Sequence, residues 1–277
     1  MRSLRADFAA LVGDLDRCGL GRGALEIARL AYPDLEPERY LARLEALADA
    51  ARARIGAGMP PEDVALAVGD HLFGTCGFRG NTQDYYDPRN SFLNDVLDRR
   101  TGIPISLSVV FIEVTRRLGL PVEGVGFPGH FLVRVAGRRG PILLDPFFGG
   151  RPVGHDELVD RLRALHGGRE VREIPPEAVR TARTPDILGR MLRNLLRAYL
   201  DRDDSPHALA AVDLLLVLIP DSPEDLRTRG FLYERLDCVA PAVADLRRYL
   251  ELAPTAPDAT DIRARLARLA KTSHSIH

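Results

Sequence analysis

The N-terminal quarter of the chain places its apolar residues at helical spacing. Phe8, Leu11 and Leu15 recur three or four residues apart, which puts them on one face of a helix. The segment from Pro37 to Arg54 is rich in alanine and leucine and carries its charges on the other face. This pattern predicts an all-helical lead-in over residues 1–70.

The pattern changes between residues 73 and 90, where glycine, asparagine, aspartate, tyrosine and proline follow one another without a helical period. This composition predicts an ordered loop, and long loops in compact domains are often functional. Four of its side chains could bind a ligand: Arg79, Asn81, Tyr85 and Asn90. Alternatively, they bond to the loop backbone and order it.

Two helices are predicted after this loop. The first spans Ser91 to Arg99, with Ser91 as a possible N-cap. The second begins at Pro104, because a proline is tolerated in the first turn of a helix, where its missing N–H would have no partner. It ends at Gly119, which is followed by a leucine and a proline.

Three short strands are predicted next, at residues 122–127, 130–135 and 142–145. A tight turn separates the last two strands, so they should pair in antiparallel fashion. That pairing would bring His130 and Asp145 to the same end of neighbouring strands. The pair could serve as a general base and its orienting carboxylate, or it could be a buried polar pair that merely satisfies its hydrogen bonds.

A nucleophile for such a pair is harder to find. Ser106 and Ser108 lie in the first turns of the helix that begins at Pro104, where the helix dipole favours a developing anion. Both hydroxyls could instead bond to the preceding turn or cap the helix. Cys76 lies in the loop before the site, but a lone cysteine is more often a small buried hydrophobe.

The C-terminal third contains an internal repeat. Three residue pairs align at a spacing of 34 residues, the tetratricopeptide period: Tyr199 with Tyr233, Ala208 with Ala242, and Pro220 with Pro254. A last helix, from about Asp258 to Ala270, is predicted to cap the array. Repeat arrays of this kind bind peptides or partner helices on their concave face, so a protein or peptide partner is expected here.

Charge and composition exclude several functions. Thirty-eight basic and 39 acidic side chains leave a formal net charge of -1, so no overall field directs the chain to nucleic acid or to acidic membranes. No stretch has the length of a membrane span, and the N-terminus lacks the apolar run of a signal peptide. We therefore expect a soluble protein that binds neither nucleic acid nor membranes.

The metal-binding and redox residues are scattered. Cys18, Cys76 and Cys238 have neither disulfide-framework nor zinc-site spacing, which fits a reducing cytoplasm. The seven histidines include no pair at i, i+4, and no glycine-rich nucleotide-binding motif is present. The sequence predicts no metal and no cofactor.

Several short motifs occur in a fixed order along the chain: Gly77-Phe-Arg-Gly-Asn81, Tyr85-Tyr-Asp-Pro88, Asn90-Ser91, Gly102-Ile-Pro-Ile-Ser-Leu-Ser108, Pro128-Gly-His130 and Asp145-Pro-Phe147. Together they resemble the SirB-one family of bacterial proteins. This resemblance covers most of the chain and implies an α+β protein. Its expected parts are a helical lead-in, a transglutaminase-like (papain-like) core with a small antiparallel sheet, and C-terminal α-helical tetratricopeptide-like repeats. The expected domains are residues 1–175 and 185–277.

The resemblance also implies a cysteine nucleophile, in a Gly-x-Cys motif where the helix begins. Gly102-Ile103-Pro104 stands at that place, and proline cannot be a nucleophile. We therefore expect a non-catalytic transglutaminase-like protein, a pseudoenzyme that acts as a protein-binding or regulatory scaffold. The alternative is a hydrolase or acyl-transfer enzyme on an amide or peptide bond, with His130 as base, Asp145 as orienter and Ser106 or Ser108 as nucleophile.

Overall fold

The computed structural model describes residues 4–274, which form two compact units. The first unit comprises residues 14–191. The second comprises the described residues before Asp14 together with those from Leu192 onward. A domain boundary at residues 175–185 stays a prediction, because this grouping does not show which parts of the chain fold independently.

The predicted helical lead-in is present. Its helices are α1 (Leu4–Val12), which belongs to the second unit, and α2 (Leu15–Ala28), α3 (Pro37–Arg52) and α4 (Pro61–Gly69), which belong to the first. Both α3 and α4 begin at a proline, whose missing N–H has no partner to lose at the first helical position. A π-helix, Asp70–Thr75, directly follows α4.

The loop after this π-helix has little regular structure, as its composition predicts. It contains β1 (Arg79–Gly80), which pairs in parallel with β2 (Thr101–Gly102). The backbone N–H of Asn81 donates to the carbonyl of Gly102 at 2.8 Å. These bonds hold the loop against the residues that precede Pro104.

The helix predicted from Ser91 begins later than expected. Helix α5 spans Leu93–Arg99, and Phe92 precedes its first turn. Ser91 does not cap α5. It follows a short 3₁₀ helix, Pro88–Asn90, and its backbone N–H donates to the carbonyl of Pro88 at the end of that helix.

Helix α6 (Pro104–Arg117) begins at Pro104, as predicted. Every residue from Pro104 to Thr115 is buried, and the helix packs against α2, α3, α4 and α5 and against four strands. A helix that is buried on all sides lies in the core. Polar side chains in its first turns are therefore enclosed by protein.

Five antiparallel strands follow: β3 (Val122–Val125), β4 (Leu132–Val135), β5 (Ile142–Asp145), β6 (Arg151–Val153) and β7 (Thr181–Ala182). Their order in the sheet is β6-β5-β4-β3-β7. The three predicted strands are present. The other two, β6 and β7, were not predicted, because segments of two or three residues are too short to show an alternating pattern.

Helix α7 (His155–Leu165) packs on this sheet. Leu158 and Leu162 of α7 share a hydrophobic core with Phe127 and Leu132. This core fixes the side of α7 that faces the end of β5.

The C-terminal helices have the predicted repeat arrangement. They are α8 (Thr184–Leu200), which begins in the first unit and ends in the second, α9 (Ser205–Leu218), α10 (Pro223–Arg235), α11 (Val239–Leu252) and α12 (Ala259–His274). Leu226, Ala242, Leu246 and Ile262 form the core of this unit. Arg229 joins α10 to its neighbours through ion pairs with two aspartates, one on α9 and one on α11.

The helices of both units are short compared with a membrane span. The longest helix of the described residues, α8, has 17 residues, whereas a membrane-spanning helix needs about 20 apolar ones. None of the helices within residues 4–274 is both long enough and apolar enough to cross a membrane.

Gly230 of α10 lies directly against α11. A Cβ atom at this position would lie 2.8 Å from Cγ of Leu246, inside van der Waals contact. Gly230→Leu should therefore destabilise the protein by about 1 to 3 kcal/mol, the usual cost of overpacking a core. Urea unfolding measures the change.

The matched control is Arg247→Leu, on the exposed surface of α11. Its unfolding free energy should stay within about 0.5 kcal/mol of the wild-type value. Equal stability of the two variants would contradict the packing described for Gly230.

Candidate active site

His130 lies in the turn that joins β3 to β4. Its backbone N–H donates to the carbonyl of Phe127 at 3.0 Å, and Gly129 adopts a φ of +68°. The expectation that a strand begins at His130 is wrong, because Pro128 has no N–H for strand pairing and Gly129 turns the chain. Pairing begins only at Leu132.

The turn brings His130 to Asp145, the last residue of β5. The ring Nε2 of His130 lies 2.9 Å from each carboxylate oxygen of Asp145. The pairing of Val133 with Leu144 sets this alignment. The contact expected from the strand pattern is therefore present, whereas a catalytic role for the two residues stays a prediction.

Asp145 is fully buried and has further partners. Its carboxylate accepts hydrogen bonds from Arg161 Nη2 at 2.7 Å and from the backbone N–H of Phe147 at 3.1 Å. Burial would raise the pKa of Asp145, but the hydrogen bonds and charges of His130 and Arg161 outweigh it and hold this pKa below its usual value. The carboxylate is therefore ionised.

This arrangement fixes the orientation of the imidazole. When Nε2 donates to Asp145, a neutral ring has its free lone pair on Nδ1. Within the described residues, Nδ1 of His130 has no hydrogen-bond partner. His130 could thus accept a proton, provided that a donor lies at Nδ1.

Helix α7 adds charged residues that the sequence analysis missed. Arg161 bonds both Asp145 and Glu157, and Glu157 also makes two bonds of 2.7 Å to Arg151. The bond from Arg151, followed by that from Arg161, lowers the pKa of Glu157 to about 2 despite partial burial. The spacing of Glu157 and Arg161 at i, i+4 on a helix was the one available signal.

A cavity of about 430 Å³ opens beside His130. Its lining is mostly apolar and comes from the β3–β4 turn, from α7 and from the residues after β5: Phe127, Pro128, Gly129, His130, Phe148, Arg161, Ala164 and Leu165. Phe148 stacks on the His130 ring at a centroid distance of 6.0 Å. Phe148 and Leu165 are 50% and 54% exposed, so the cavity has an apolar rim.

The two candidate hydroxyls do not reach His130 by any hydrogen bond among the described residues. Ser106 Oγ accepts from the N–H of Ile103 at 3.1 Å and donates to the carbonyl of Asn90. It thereby ties the start of α6 to the preceding loop. Ser108 is fully buried, and its Oγ has no hydrogen-bond partner in the part of the chain that the structure describes.

The loop residues proposed as ligand-binding mostly bond one another. Asn81 Nδ2 donates to Asn90 Oδ1 at 3.1 Å, and Asn90 Nδ2 donates to the carbonyl of Asp84 at 2.7 Å. This geometry supports the alternative in which these amides order the loop. Arg79 is exposed, while Tyr85 contacts the ring of Phe147 at 6.3 Å and so borders the site.

Cys76 has a different partner, since its Sγ lies 3.4 Å from Nε2 of His71. Burial raises the pKa of Cys76 and lowers the pKa of His71. Both shifts favour a neutral thiol beside a neutral imidazole, which is not a reactive pair. No group of three histidine, cysteine, aspartate or glutamate side chains within the described residues could hold a metal ion.

Known proteins resemble the chain over most of its length. A model of the transglutaminase-like superfamily matches residues 38–193, and a tetratricopeptide repeat model matches residues 195–267. This confirms the predicted combination of a transglutaminase-like core with repeats. No solved structure matches the chain.

Relatives occur in bacteria and in the mouse. A UPF0162 protein of Xylella fastidiosa strain Temecula1 is 40% identical over 261 residues, covering 92% of this chain and 91% of its own. The UPF0162 protein YchA of Escherichia coli K12 is 27% identical over 277 residues, covering 100% of both chains. F-box only protein 21 of Mus musculus is 31% identical over 208 residues, which are 67% of this chain and 31% of the mouse protein.

The depressed pKa of Asp145 predicts a pH dependence. The paired carboxylate contributes stability above its unfolded-state pKa of about 4, and this contribution is lost as the pH falls through the folded-state pKa. Asp145→Asn removes the charged acceptor of His130 and Arg161, although Arg161 keeps Glu157, so it should cost about 1.5 to 3 kcal/mol at pH 7. Urea unfolding should show this difference shrinking as the pH falls below about 4.

Asp160→Asn is the control, since Asp160 pairs with Arg163 on the exposed surface of α7. It should change stability by less than about 1 kcal/mol at either pH. A cost for Asp145→Asn that does not change with pH would contradict the ionised state of Asp145.

Proposed function

The chain belongs to the transglutaminase-like superfamily and to the UPF0162 family, and from this premise we propose that it is a non-catalytic, protein-binding scaffold. In this proposal, the transglutaminase-like unit keeps a His130–Asp145 pair without a nucleophile and binds its partner in the apolar cavity beside His130. The repeats supply a second protein-binding surface, as tetratricopeptide arrays generally do.

One observation carries this proposal: the start of α6 offers no group that His130 could activate. Pro104 occupies the first position of the helix. The Ser106 hydroxyl is already bonded to two backbone groups, and Ser108 is enclosed in the core. A thiolate or alkoxide needs a base in contact with it, and no described serine or cysteine side chain makes such a contact with His130.

The surroundings of His130 suit an apolar peptide segment. Of the five large hydrophobic residues that are exposed in the described chain, Phe148 and Leu165 line the cavity. Two more, Tyr85 and Tyr86, lie next to one another, and Tyr85 contacts Phe147, which in turn contacts Phe148. Exposed apolar residues are common singly, but a cluster around a cavity is typical of a binding surface.

Arg190 adds a positive charge beside this surface. Its guanidinium donates to the carbonyl of Phe127 at 3.2 Å and lies 5.6 Å above the ring of Phe131. Burial lowers the pKa of Arg190, and no described carboxylate pairs with it. A peptide with an apolar side chain next to a carboxylate would complement this arrangement.

A cytoplasmic location is part of the proposal. Cys18, Cys76 and Cys238 are all unpaired, which suits a reducing compartment. The formal net charge of -1 provides no general attraction for nucleic acid, so none is proposed as a partner.

The second candidate is the hydrolase or acyl-transfer enzyme. One observation favours it: Nε2 of His130 is bound to an ionised carboxylate while Nδ1 is free, which is the arrangement of a general base. It would need Ser106 or Ser108 to leave its present surroundings and reach Nδ1.

Restoring a thiol distinguishes the two candidates. In Pro104→Cys, we expect the new thiol at the N-terminus of α6 to face His130 and to have a depressed pKa, so iodoacetamide should alkylate it about tenfold faster at pH 7 than an ordinary thiol. Exposed Cys238 is the internal reference. Peptide mass spectrometry measures both rates, and His130→Ala in the same background should remove the acceleration.

The wild-type protein tests the same proposal directly. An acylating active-site probe should leave Ser106 and Ser108 unmodified. Stoichiometric labelling of either serine that disappears in His130→Ala would contradict the proposal and favour the enzyme.

Site-specific crosslinking tests the binding surface. Benzoylphenylalanine in place of Leu165 should form a crosslink to a polypeptide in living bacteria, because this side chain lies at the rim of the cavity. Phe148→Ala and Arg190→Gln should each reduce the yield at least about threefold by removing apolar contact or charge. The crosslinked peptide, read by mass spectrometry, should contain an acidic residue.

The crosslinker at Asp156 is the control, since this residue is exposed on the same helix but does not line the cavity. An equal yield at Asp156, or a Leu165 crosslink that is insensitive to both substitutions, would count against a partner in the cavity.

A further inference from the structure

The ring of His130 has a hydrogen-bond acceptor that a ligand can reach. Because Nε2 is bonded to the ionised carboxylate of Asp145, the neutral ring has its lone pair on Nδ1. Nδ1 has no hydrogen-bond partner among the described residues, and the protein does not enclose this atom. The side chain as a whole is 13% exposed. A donor on a bound partner can therefore approach Nδ1.

Arg190 has unused donors at the same turn. The carbonyl of Phe127 accepts hydrogen bonds both from the guanidinium of Arg190 and from the backbone N–H of His130, so the guanidinium lies at the base of the turn. A guanidinium has five N–H donors, and Arg190 uses two of them on this one carbonyl. Its Nε–H donates to no described group, and the protein does not enclose this atom either.

Tyr85 adds a hydroxyl to this surface. Its ring lies 6.3 Å from the ring of Phe147, which in turn lies 6.0 Å from the ring of His130. The Tyr85 hydroxyl forms no hydrogen bond with a described residue. Burial raises the pKa of this hydroxyl, and the charge of Arg190 opposes the shift. Tyr85 and Arg190 are thus close enough to interact electrostatically, and both have donors to spare.

The apolar cavity of about 430 Å³ adjoins these polar atoms, because Phe127 and His130 both belong to its lining. A partner that fills the cavity and continues along the turn removes water from Nδ1 of His130 and from the donors of Arg190 and Tyr85. A donor or acceptor that loses water without gaining a partner opposes binding. The partner must therefore bring a donor for Nδ1 and an acceptor for the other two groups.

An extended peptide segment carries both kinds of group. Its backbone offers an N–H at each residue other than proline, which suits Nδ1 of His130. The acceptor is a carboxylate, because Arg190 is a half-buried cation that pairs with no described carboxylate. Side chains of an extended segment alternate between two faces, so an apolar and an acidic side chain that point to the same surface are two residues apart.

Building on the proposed function, we propose that this surface binds an extended segment of a partner protein with an apolar and an acidic side chain two residues apart. The apolar side chain enters the cavity, and the carboxylate accepts hydrogen bonds from Arg190 and from the Tyr85 hydroxyl. A backbone N–H of the segment donates to Nδ1 of His130. The His130–Asp145 pair then takes part in recognition, since Asp145 fixes the ring with Nδ1 towards the partner.

Calorimetric titration of the full chain with short peptides tests this inference. The two probes are acetylated, amidated Gly-Leu-Gly-Glu-Gly and its reverse, Gly-Glu-Gly-Leu-Gly, which differ in chain direction. At least one of them should bind with one-to-one stoichiometry. Glutamine in place of the glutamate should weaken binding about tenfold or more, which corresponds to loss of a charge-assisted hydrogen bond.

Ester analogues of the better probe locate the backbone contact. In each analogue, one residue is replaced by the corresponding hydroxy acid, which removes a single N–H. One analogue should bind about tenfold more weakly than the others, because it lacks the donor for Nδ1. This difference should disappear in His130→Leu. The ester comparison itself uses the unaltered protein, so it decides the matter even if His130→Leu fails to fold.

Two variants locate the carboxylate. Tyr85→Phe removes only a hydroxyl and should weaken binding of the glutamate probe about threefold, and Arg190→Gln should weaken it about tenfold. Neither should further weaken the glutamine peptide, which has no carboxylate to lose. Tyr40→Phe is the matched control, because the Tyr40 hydroxyl bonds Asp98 on a different part of the unit. It should leave the affinity unchanged within about twofold.

Three results would overturn the inference: equal affinity for the glutamate and glutamine peptides, equal affinity of all the ester analogues, or no saturable binding of either probe at about 10 mM. Each of them leaves the proposed function in place as long as the crosslinker at Leu165 still captures a polypeptide in the cavity. Loss of that crosslink is instead a failure of the proposed function itself.

Discussion

The buried, ionised carboxylate of Asp145 is the group on which the site depends. It holds the ring of His130, the guanidinium of Arg161 and the N–H of Phe147. A buried charge is tolerated only when its partners are in place. Pairing this one buried charge therefore keeps three segments together: the β3–β4 turn, α7 and the segment after β5. The apolar core that β4 shares with α7 also holds them.

This requirement gives the His130–Asp145 pair a structural role that does not depend on catalysis. The hydrogen bond from His130 offsets part of the free-energy cost of burying the charge of Asp145. The pair therefore has a structural role whether or not a proton is ever transferred. The polar groups at the start of α6 are used differently: Ser106 bonds the carbonyl of Asn90 and stabilises the loop. Pro104 begins the helix without a donor.

The transglutaminase-like unit presents two cavities of opposite character. The one at His130 is apolar and has the guanidinium of Arg161 in its lining. The one lined by α5 and by the segment that joins α2 to α3 is acidic. An apolar lining favours apolar groups, whereas an acidic one attracts cations. The two cavities therefore differ in chemical character, even though both belong to one unit.

Local rules alone determined several features from the sequence. Pro104 begins α6 because the steric limits of proline act within one turn, the repeat period follows from spacing, and the contact of His130 with Asp145 follows from a short turn between paired strands. Only the tertiary structure decided that Arg161 reaches Asp145, that Ser106 bonds to Asn90 and that Asn94 lines an acidic cavity. These contacts join residues of separate segments, and they depend on which faces of helices and strands pack together, which no local pattern of residues specifies.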